Sequence, residues 1–130
     1  MKMNRRFKKI ESGFHESAKN ILASWVGGIT EQEFRIDGQI VFVPDVVVYE
    51  NGIIQCIYEI VYKNQFTGHK LGRIQYYCYR NITELTVHEV SYDFILRQTE
   101  KPERIEDINC FIIGPFEYEE VEECLIKSIS

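Results

Sequence analysis

The chain has 130 residues, of which 45% are hydrophobic and 27% are charged, and its net charge is −5. This composition is typical of a globular domain with one core and excludes a disordered or fibrous chain. The negative net charge argues against a protein that coats nucleic acid by bulk attraction. No apolar run approaches the roughly 20 residues that span a bilayer, and the N-terminus lacks the apolar core of a secretory signal. We therefore expect a cytoplasmic protein without a membrane segment.

The first predicted element is a helix over about residues 13–26, with Ser12 as its N-cap and a Gly27-Gly28 pair at its end. Its apolar residues recur at helical spacing; they are Phe14, Ala18, Ile21, Leu22 and Trp25. Short strands are expected at 33–36 and 39–43, around the hairpin dipeptide Asp37-Gly38.

Two apolar, β-branched runs then flank Asn51-Gly52, the strongest short-range signal for a two-residue hairpin turn. Strands 39–49 and 53–62 are apolar on both faces, which predicts a mixed central sheet covered on both sides. The covering helices would be those carrying Trp25 and Leu71.

The second half begins with a predicted helix at about 69–80, followed by a strand at 85–90 and a further element at 93–98. A short buried strand is expected at 110–113. The predicted order is α-β-β-β-α-β followed by less regular elements, in one domain over residues 1–130. A basic leader covers 1–11, and an acidic C-terminal helix is predicted at about 117–128.

The four cysteines are widely spaced and form no C-x-x-C pair, and no histidine lies near them in sequence. Zinc sites usually contain pairs of ligands that are close together in the sequence. We therefore expect reduced, small core residues at Cys56, Cys78, Cys110 and Cys124.

Two carboxylates, Asp45 and Glu59, lie in the apolar strands on either side of the hairpin turn. An ionised carboxylate is costly to bury unless a cation or hydrogen-bond donors meet it, so the pair indicates a divalent-metal site. In the regular register Asp45 lies opposite Tyr58, which places it on the other face from Glu59. A bulge around Pro44 or Tyr58 would bring the two acids together. Two solvated acids at strand ends remain the alternative.

The order of elements, with Pro44-Asp45 and Glu59-Ile60-Val61 on consecutive strands, resembles the PD-(D/E)xK nuclease superfamily. The likeness is closer to its competence-protein CoiA-like branch, in which a helix of the form His-x-x-x-Lys-x-x-Leu-Ala-x-Trp precedes a Pro-Asp-Val strand. The chain matches this helix at His15, Lys19, Leu22, Ala23 and Trp25. The resemblance covers roughly residues 12–90 and implies an α/β, restriction-endonuclease-like core, with a mixed central sheet flanked by helices.

The resemblance also implies a chemistry. Asp45, Glu59 and the backbone carbonyl of Ile60 would hold Mg²⁺ or Mn²⁺, with Glu16 as an extra acidic ligand. The ion would activate a water molecule for hydrolysis of a phosphodiester bond in DNA. An exposed helix-face glutamate is the alternative interpretation of Glu16.

The superfamily motif has a lysine two residues beyond the acid, where this chain has Val61. Lys63, on the same strand face, and Lys70, at the start of the next helix, are the candidates to replace this lysine. Strand parity favours Lys63 slightly. Ordinary surface lysines are the alternative for both.

The helix after the core strands contains Gln75-x-x-x-Tyr79, which resembles the helix motif of RecB-type nucleases. Residues i and i+4 share a helix face, so both side chains could contact a DNA strand, with Arg73 from the same basic region. Ordinary packing of Gln75 and Tyr79 is the alternative.

Two functions follow from these patterns. The first is a small Mg²⁺-dependent deoxyribonuclease, a hydrolase that would need a homodimer or a protein partner to hold its substrate. The second is a catalytically silent nuclease-fold module that binds nucleic acid or a protein. A fold of unrelated role with coincident acids is a third interpretation.

Overall fold

The computed structural model describes residues 2–62 and 68–115, with side chains described from Gly13 onward except at 68 and 69. It contains three helices and six strands in that part of the chain. In chain order these are α1 (Lys2–Val26), β1 (Phe34–Ile36), β2 (Gln39–Phe42), β3 (Val46–Glu50), β4 (Ile53–Val61), α2 (Gly68–Asn81), β5 (Leu85–Ser91), α3 (Tyr92–Arg97) and β6 (Asp107–Ile113).

The main sheet has the strand order β3-β4-β5-β6 and is mixed. Strands β4 and β5 are parallel and are joined through α2, whereas β3 with β4 and β5 with β6 are antiparallel. A separate two-stranded sheet is formed by β1 and β2. The prediction of an α/β protein with a mixed sheet flanked by helices is confirmed.

The continuous central strand predicted at 39–49 is wrong, because the chain leaves one sheet for another at Pro44. Proline cannot donate a hydrogen bond to a strand ladder, so it favours a break here. Phe42, before the break, packs its ring on Phe34 with centroids 4.5 Å apart. Strand β3, after the break, lies at the edge of the main sheet, where Val47 forms an isolated bridge with Ile29. The central strands are β4 and β5.

Both predicted hairpin turns are confirmed. Asn51 and Gly52 have φ angles of 54° and 77°, and Glu50 pairs with Ile53 across them. The Asp37-Gly38 turn has the same character, with φ angles of 51° and 80°. Positive φ at both central positions matches the right-handed twist of the flanking strands, which is why these dipeptides are favoured.

Each face of the sheet carries its own hydrophobic cluster. On the α2 side the buried residues include Val47, Ile57 and Val87, with Leu71 packed against them. On the side of α1 and α3 the buried residues include Val46, Ile60 and Val90, with Trp25 packed against them. Fully burying one such aliphatic side chain stabilises the fold by about 1.5–3 kcal/mol. The prediction that helices with Trp25 and Leu71 cover both faces is confirmed.

The ends of several elements differ from the sequence prediction. Helix α1 begins at Lys2, so Ser12 lies within it and is not its N-cap, although the helix ends at Val26 before Gly27 as expected. The element at 93–98 is the short helix α3, capped by the hydroxyl of Ser91.

The strand expected at 110–113 is longer than predicted and lies at the sheet edge. It begins at Asp107, and most of its side chains are exposed, whereas a buried strand was predicted. Among the described strands it pairs with β5 alone. The predicted acidic C-terminal helix lies outside the described residues. Within the described residues, no helix is both long and apolar enough to cross a membrane.

Candidate active site

A β-bulge brings Asp45 and Glu59 onto one face of the sheet. The register between β3 and β4 shifts by one residue, and the extra residue on β4 is Gln55. Beyond the shift Val46 pairs with Tyr58, so the same register places Asp45 level with Glu59. The irregularity that the paired site requires is therefore present, but nearer the turn than predicted.

Asp45 is 5% exposed and both of its carboxylate oxygens are occupied. Oδ2 accepts a hydrogen bond of 2.7 Å from the backbone N–H of Ile60, and Oδ1 lies 2.9 Å from Nε2 of His15. The ammonium group of Lys19 is 4.0 Å from Oδ1. His15 and Lys19 reach the same carboxylate because residues four apart lie on one face of α1.

These contacts keep Asp45 ionised. Burial by itself would raise the pKa of this carboxyl group. The hydrogen bond with His15, the charge of Lys70 and the Ile60 N–H outweigh burial and lower the pKa to about 2. Asp45 thus carries a full negative charge inside the protein at neutral pH.

Glu59 is 3% exposed and has a different environment. Its Oε2 accepts a hydrogen bond of 2.8 Å from Nζ of Lys70, while Oε1 has no partner among the described residues. Burial, followed by the charge of Asp45, raises the pKa of Glu59 to about 8, and Lys70 offsets only part of this rise. A protonated Glu59 could donate a hydrogen bond to Asp45, which also favours the neutral form. A proton or a further cation between the two groups would therefore stabilise the pair.

Of the two candidate lysines, Lys70 contacts the carboxylate pair. It lies in the first turn of α2, the helix that follows the strand carrying Glu59. Lys63, which strand parity favoured, lies outside the described residues. Val61, where the resemblance would require a lysine, is buried.

Glu16, the predicted extra ligand, is exposed, and no hydrogen bond or ion pair joins it to other described residues. Its neighbour His15 contacts Asp45 instead. The His15–Lys19 spacing was visible in the sequence as part of the resemblance. Residues four apart share a helix face, so this spacing is the signal that could have placed both side chains at the site.

The predicted substrate-binding residues all lie on α2. Gln75 is half-buried, and Tyr79 and Arg73 are exposed. At 3.6 residues per turn, Gln75 is roughly 140° around the helix from Lys70, and Arg73 is roughly 160° from Gln75. Helix α2 thus presents Gln75 and Tyr79 on one face, Arg73 on another, and Lys70 toward Glu59.

A third buried carboxylate was not predicted. Glu89, 5% exposed, pairs with Glu59 in the parallel register of β4 and β5 and therefore faces the same side. Its Oε1 accepts a hydrogen bond of 3.0 Å from the side-chain amide of Asn109. The sequence contained a signal for this buried acid. Leu85, Val87 and Glu89 alternate along one face of the strand, so Glu89 follows two apolar residues on the face that packs into the core.

Comparisons of the chain with protein-family models, with curated proteins and with solved structures found no significant match. The candidate site is accordingly defined by its own geometry.

The oxygen atoms of Asp45 and Glu59 fit a hard divalent cation such as Mg²⁺ or Mn²⁺. Glu59 Oε1 offers a buried acceptor without a donor. The oxygens of Asp45 each accept one hydrogen bond and retain a further lone pair. The residues present can thus hold such an ion without losing the contacts that orient Asp45.

Proposed function

We propose that this protein is a metal-dependent nuclease of the PD-(D/E)xK type, with a restriction-endonuclease-like core, that hydrolyses phosphodiester bonds in DNA. The observation that carries the proposal is the buried Oε1 of Glu59, which has no donor among the described residues and belongs to the same site as ionised Asp45 and Lys70. Unsatisfied buried acceptors are rare in proteins and call for a functional explanation.

Each residue has a distinct role in this proposal. Asp45, Glu59 and the carbonyl of Ile60 would hold Mg²⁺ or Mn²⁺. When bound, the ion lowers the pKa of a coordinated water and withdraws charge from the phosphate. His15 and the Ile60 N–H orient Asp45 and keep it ionised. Lys70 holds Glu59 in place and supplies positive charge next to the phosphate.

A second function, a catalytically silent module that binds nucleic acid or a protein, is favoured by a specific observation. Lys19 and Lys70 lie beside the two carboxylates and can balance their charge without an ion, while His15 forms a hydrogen bond with Asp45. In this case the network would position α1 and α2 on the sheet, and the missing motif lysine at Val61 would reflect lost catalysis.

A cleavage assay distinguishes the two functions. We expect purified protein with Mg²⁺ or Mn²⁺ to nick plasmid DNA, and Asp45→Asn or Glu59→Gln to abolish nicking. Each substitution keeps the size of the side chain and removes the charge that binds the ion. The matched control is Glu50→Gln, the same change at an exposed position of the same hairpin.

Circular dichroism would verify that each variant is folded. Cleavage that persists in both Asp45→Asn and Glu59→Gln would contradict the proposal and indicate a contaminant. Absence of cleavage, with DNA still bound by the wild-type protein, would favour the silent module.

A further inference from the structure

A second group of metal-ligating side chains lies on the opposite face of the sheet. His88 projects from β5, and Asp107 and Cys110 project from β6. One ligand atom from each of the three lies within 4.8 Å of the others. Nδ1 of His88 is 3.0 Å from Oδ2 of Asp107. His88 is half-buried, whereas Asp107 and Cys110 are exposed at the edge of the sheet.

A second β-bulge assembles this group. Cys110 pairs directly with His88, so the two side chains share a face. The register then shifts, with Ile108 as the extra residue, and Asp107 pairs with Val90. Residues three apart on a regular strand point to opposite faces, and the bulge turns Asp107 back to the side of Cys110.

The ligand types define the class of ion. An imidazole nitrogen, a carboxylate oxygen and a thiolate sulfur suit Zn²⁺ or Co²⁺, whereas Mg²⁺ and Ca²⁺ prefer oxygen ligands alone. With bond lengths of about 2.0–2.3 Å, the ligands of one tetrahedral zinc ion lie roughly 3.3–3.8 Å apart. The three ligand atoms at the sheet edge, all within 4.8 Å of one another, need shifts of about 1 Å to reach this spacing.

The surroundings of the group support a metal site. The ring of Tyr58 stacks on that of His88, with centroids 4.7 Å apart and planes at 18°, which fixes the orientation of the imidazole. Cys56, Tyr58 and His88 also line an open cleft of about 370 Å³, through which an ion could enter.

We propose that His88, Asp107 and Cys110 bind a zinc-type transition-metal ion, with a water molecule as the fourth ligand. This site is separate from the carboxylate pair, which lies on the other face of the sheet, and does not depend on nuclease activity. A bound ion would join edge strand β6 to β5 and would therefore stabilise the fold.

A titration with Co²⁺ tests this proposal. Untagged protein treated with a chelator and then freed of it is titrated with Co²⁺, and absorbance is recorded. We expect one equivalent to bind with a thiolate-to-cobalt charge-transfer band, which one equivalent of Zn²⁺ removes. Cys110→Ser should eliminate the band, and His88→Gln or Asp107→Asn should weaken binding at least about 10-fold.

Two control variants should leave the charge-transfer titration unchanged. Glu106→Gln removes an exposed acid next to Asp107, and Cys124→Ser removes a thiol outside the described residues. A charge-transfer band that survives Cys110→Ser, or the absence of saturable binding near one equivalent, would overturn the proposal. Cys110 is exposed, so its replacement by serine should fold as the wild-type protein does.

Discussion

Lys70 donates a hydrogen bond of 2.8 Å to Oε2 of Glu59, and thereby links helix α2 to the centre of the sheet. The side chain of Glu59 is 4% exposed and that of Lys70 is 29% exposed, so the carboxylate is buried while its partner reaches water. The lysine thus offsets part of the effect by which burial raises the pKa of Glu59.

Lys70→Met should destabilise the protein more at pH 8 than at pH 5. Removing the lysine takes away the cation that stabilises ionised Glu59, and we expect a loss of about 1 kcal/mol at pH 8. The loss stays below the 3–5 kcal/mol typical of fully buried pairs because Glu59, whose pKa is already raised to about 8, can take up a proton instead. At pH 5 protonation of Glu59 relieves most of this cost. Urea denaturation at both pH values measures the difference. Equal losses at the two pH values would show that the lysine does not act through the ionisation of Glu59.

The free energy of unfolding should fall as pH rises from about 4.5 to about 8. Across this range the folded protein retains the proton on Glu59 that the unfolded chain has released, because folding raises the pKa of Glu59. Asp45 acts in the opposite sense below pH 3.8, since its pKa is lowered to about 2 and stability is lost as pH falls. Urea denaturation between pH 4 and pH 9 measures this profile. In Glu59→Gln the free energy of unfolding should change little between pH 4.5 and pH 8, whereas Glu50→Gln should keep the wild-type slope.

Mn²⁺ should stabilise the protein more strongly at pH 8 than at pH 6. Binding of the ion between Asp45 and Glu59 requires loss of the Glu59 proton, so the apparent affinity rises with pH. Thermal unfolding with and without Mn²⁺ measures the shift in Tm, and both Asp45→Asn and Glu59→Gln should remove it. Chelator-treated His88→Gln protein serves as the control, since it lacks the separate site at His88. If Mn²⁺ raises the Tm of Glu59→Gln as much as that of the wild-type protein, the ion binds at a different site.

His15→Ala should reduce stability by about 1–2 kcal/mol, because it removes the hydrogen bond to the buried Oδ1 of Asp45. Glu16→Ala, one residue away on the exposed side of α1, should change stability by less than about 0.5 kcal/mol. Urea denaturation at pH 7 compares the two variants. A separate measurement tests the prediction that Glu16 is a metal ligand. If Glu16 binds the ion, Glu16→Gln weakens Mn²⁺ binding and leaves the free energy of unfolding unchanged.

Local sequence patterns were sufficient for the hairpin turns, for helix α2 and for the C-terminal half of α1. Asn51-Gly52 and Asp37-Gly38 adopt positive φ angles that few other dipeptides tolerate, and this preference does not depend on the rest of the chain. The placement of an acid at Asp45 and at Glu59 within apolar strands was likewise visible in the sequence. Each acid was a reason to expect a compensating partner.

Only the tertiary structure decided how these acids and their partners meet. The bulges at Gln55 and Ile108 turn side chains from one face of a strand to the other, and they depend on pairing with neighbouring strands rather than on local preference. For the same reason Cys110, predicted to be an inert core thiol, lies at an exposed edge beside His88. The type of each amino acid determined which side chains need an opposite charge or a ligand. The register between strands distant in sequence determined which side chains lie close enough to provide it.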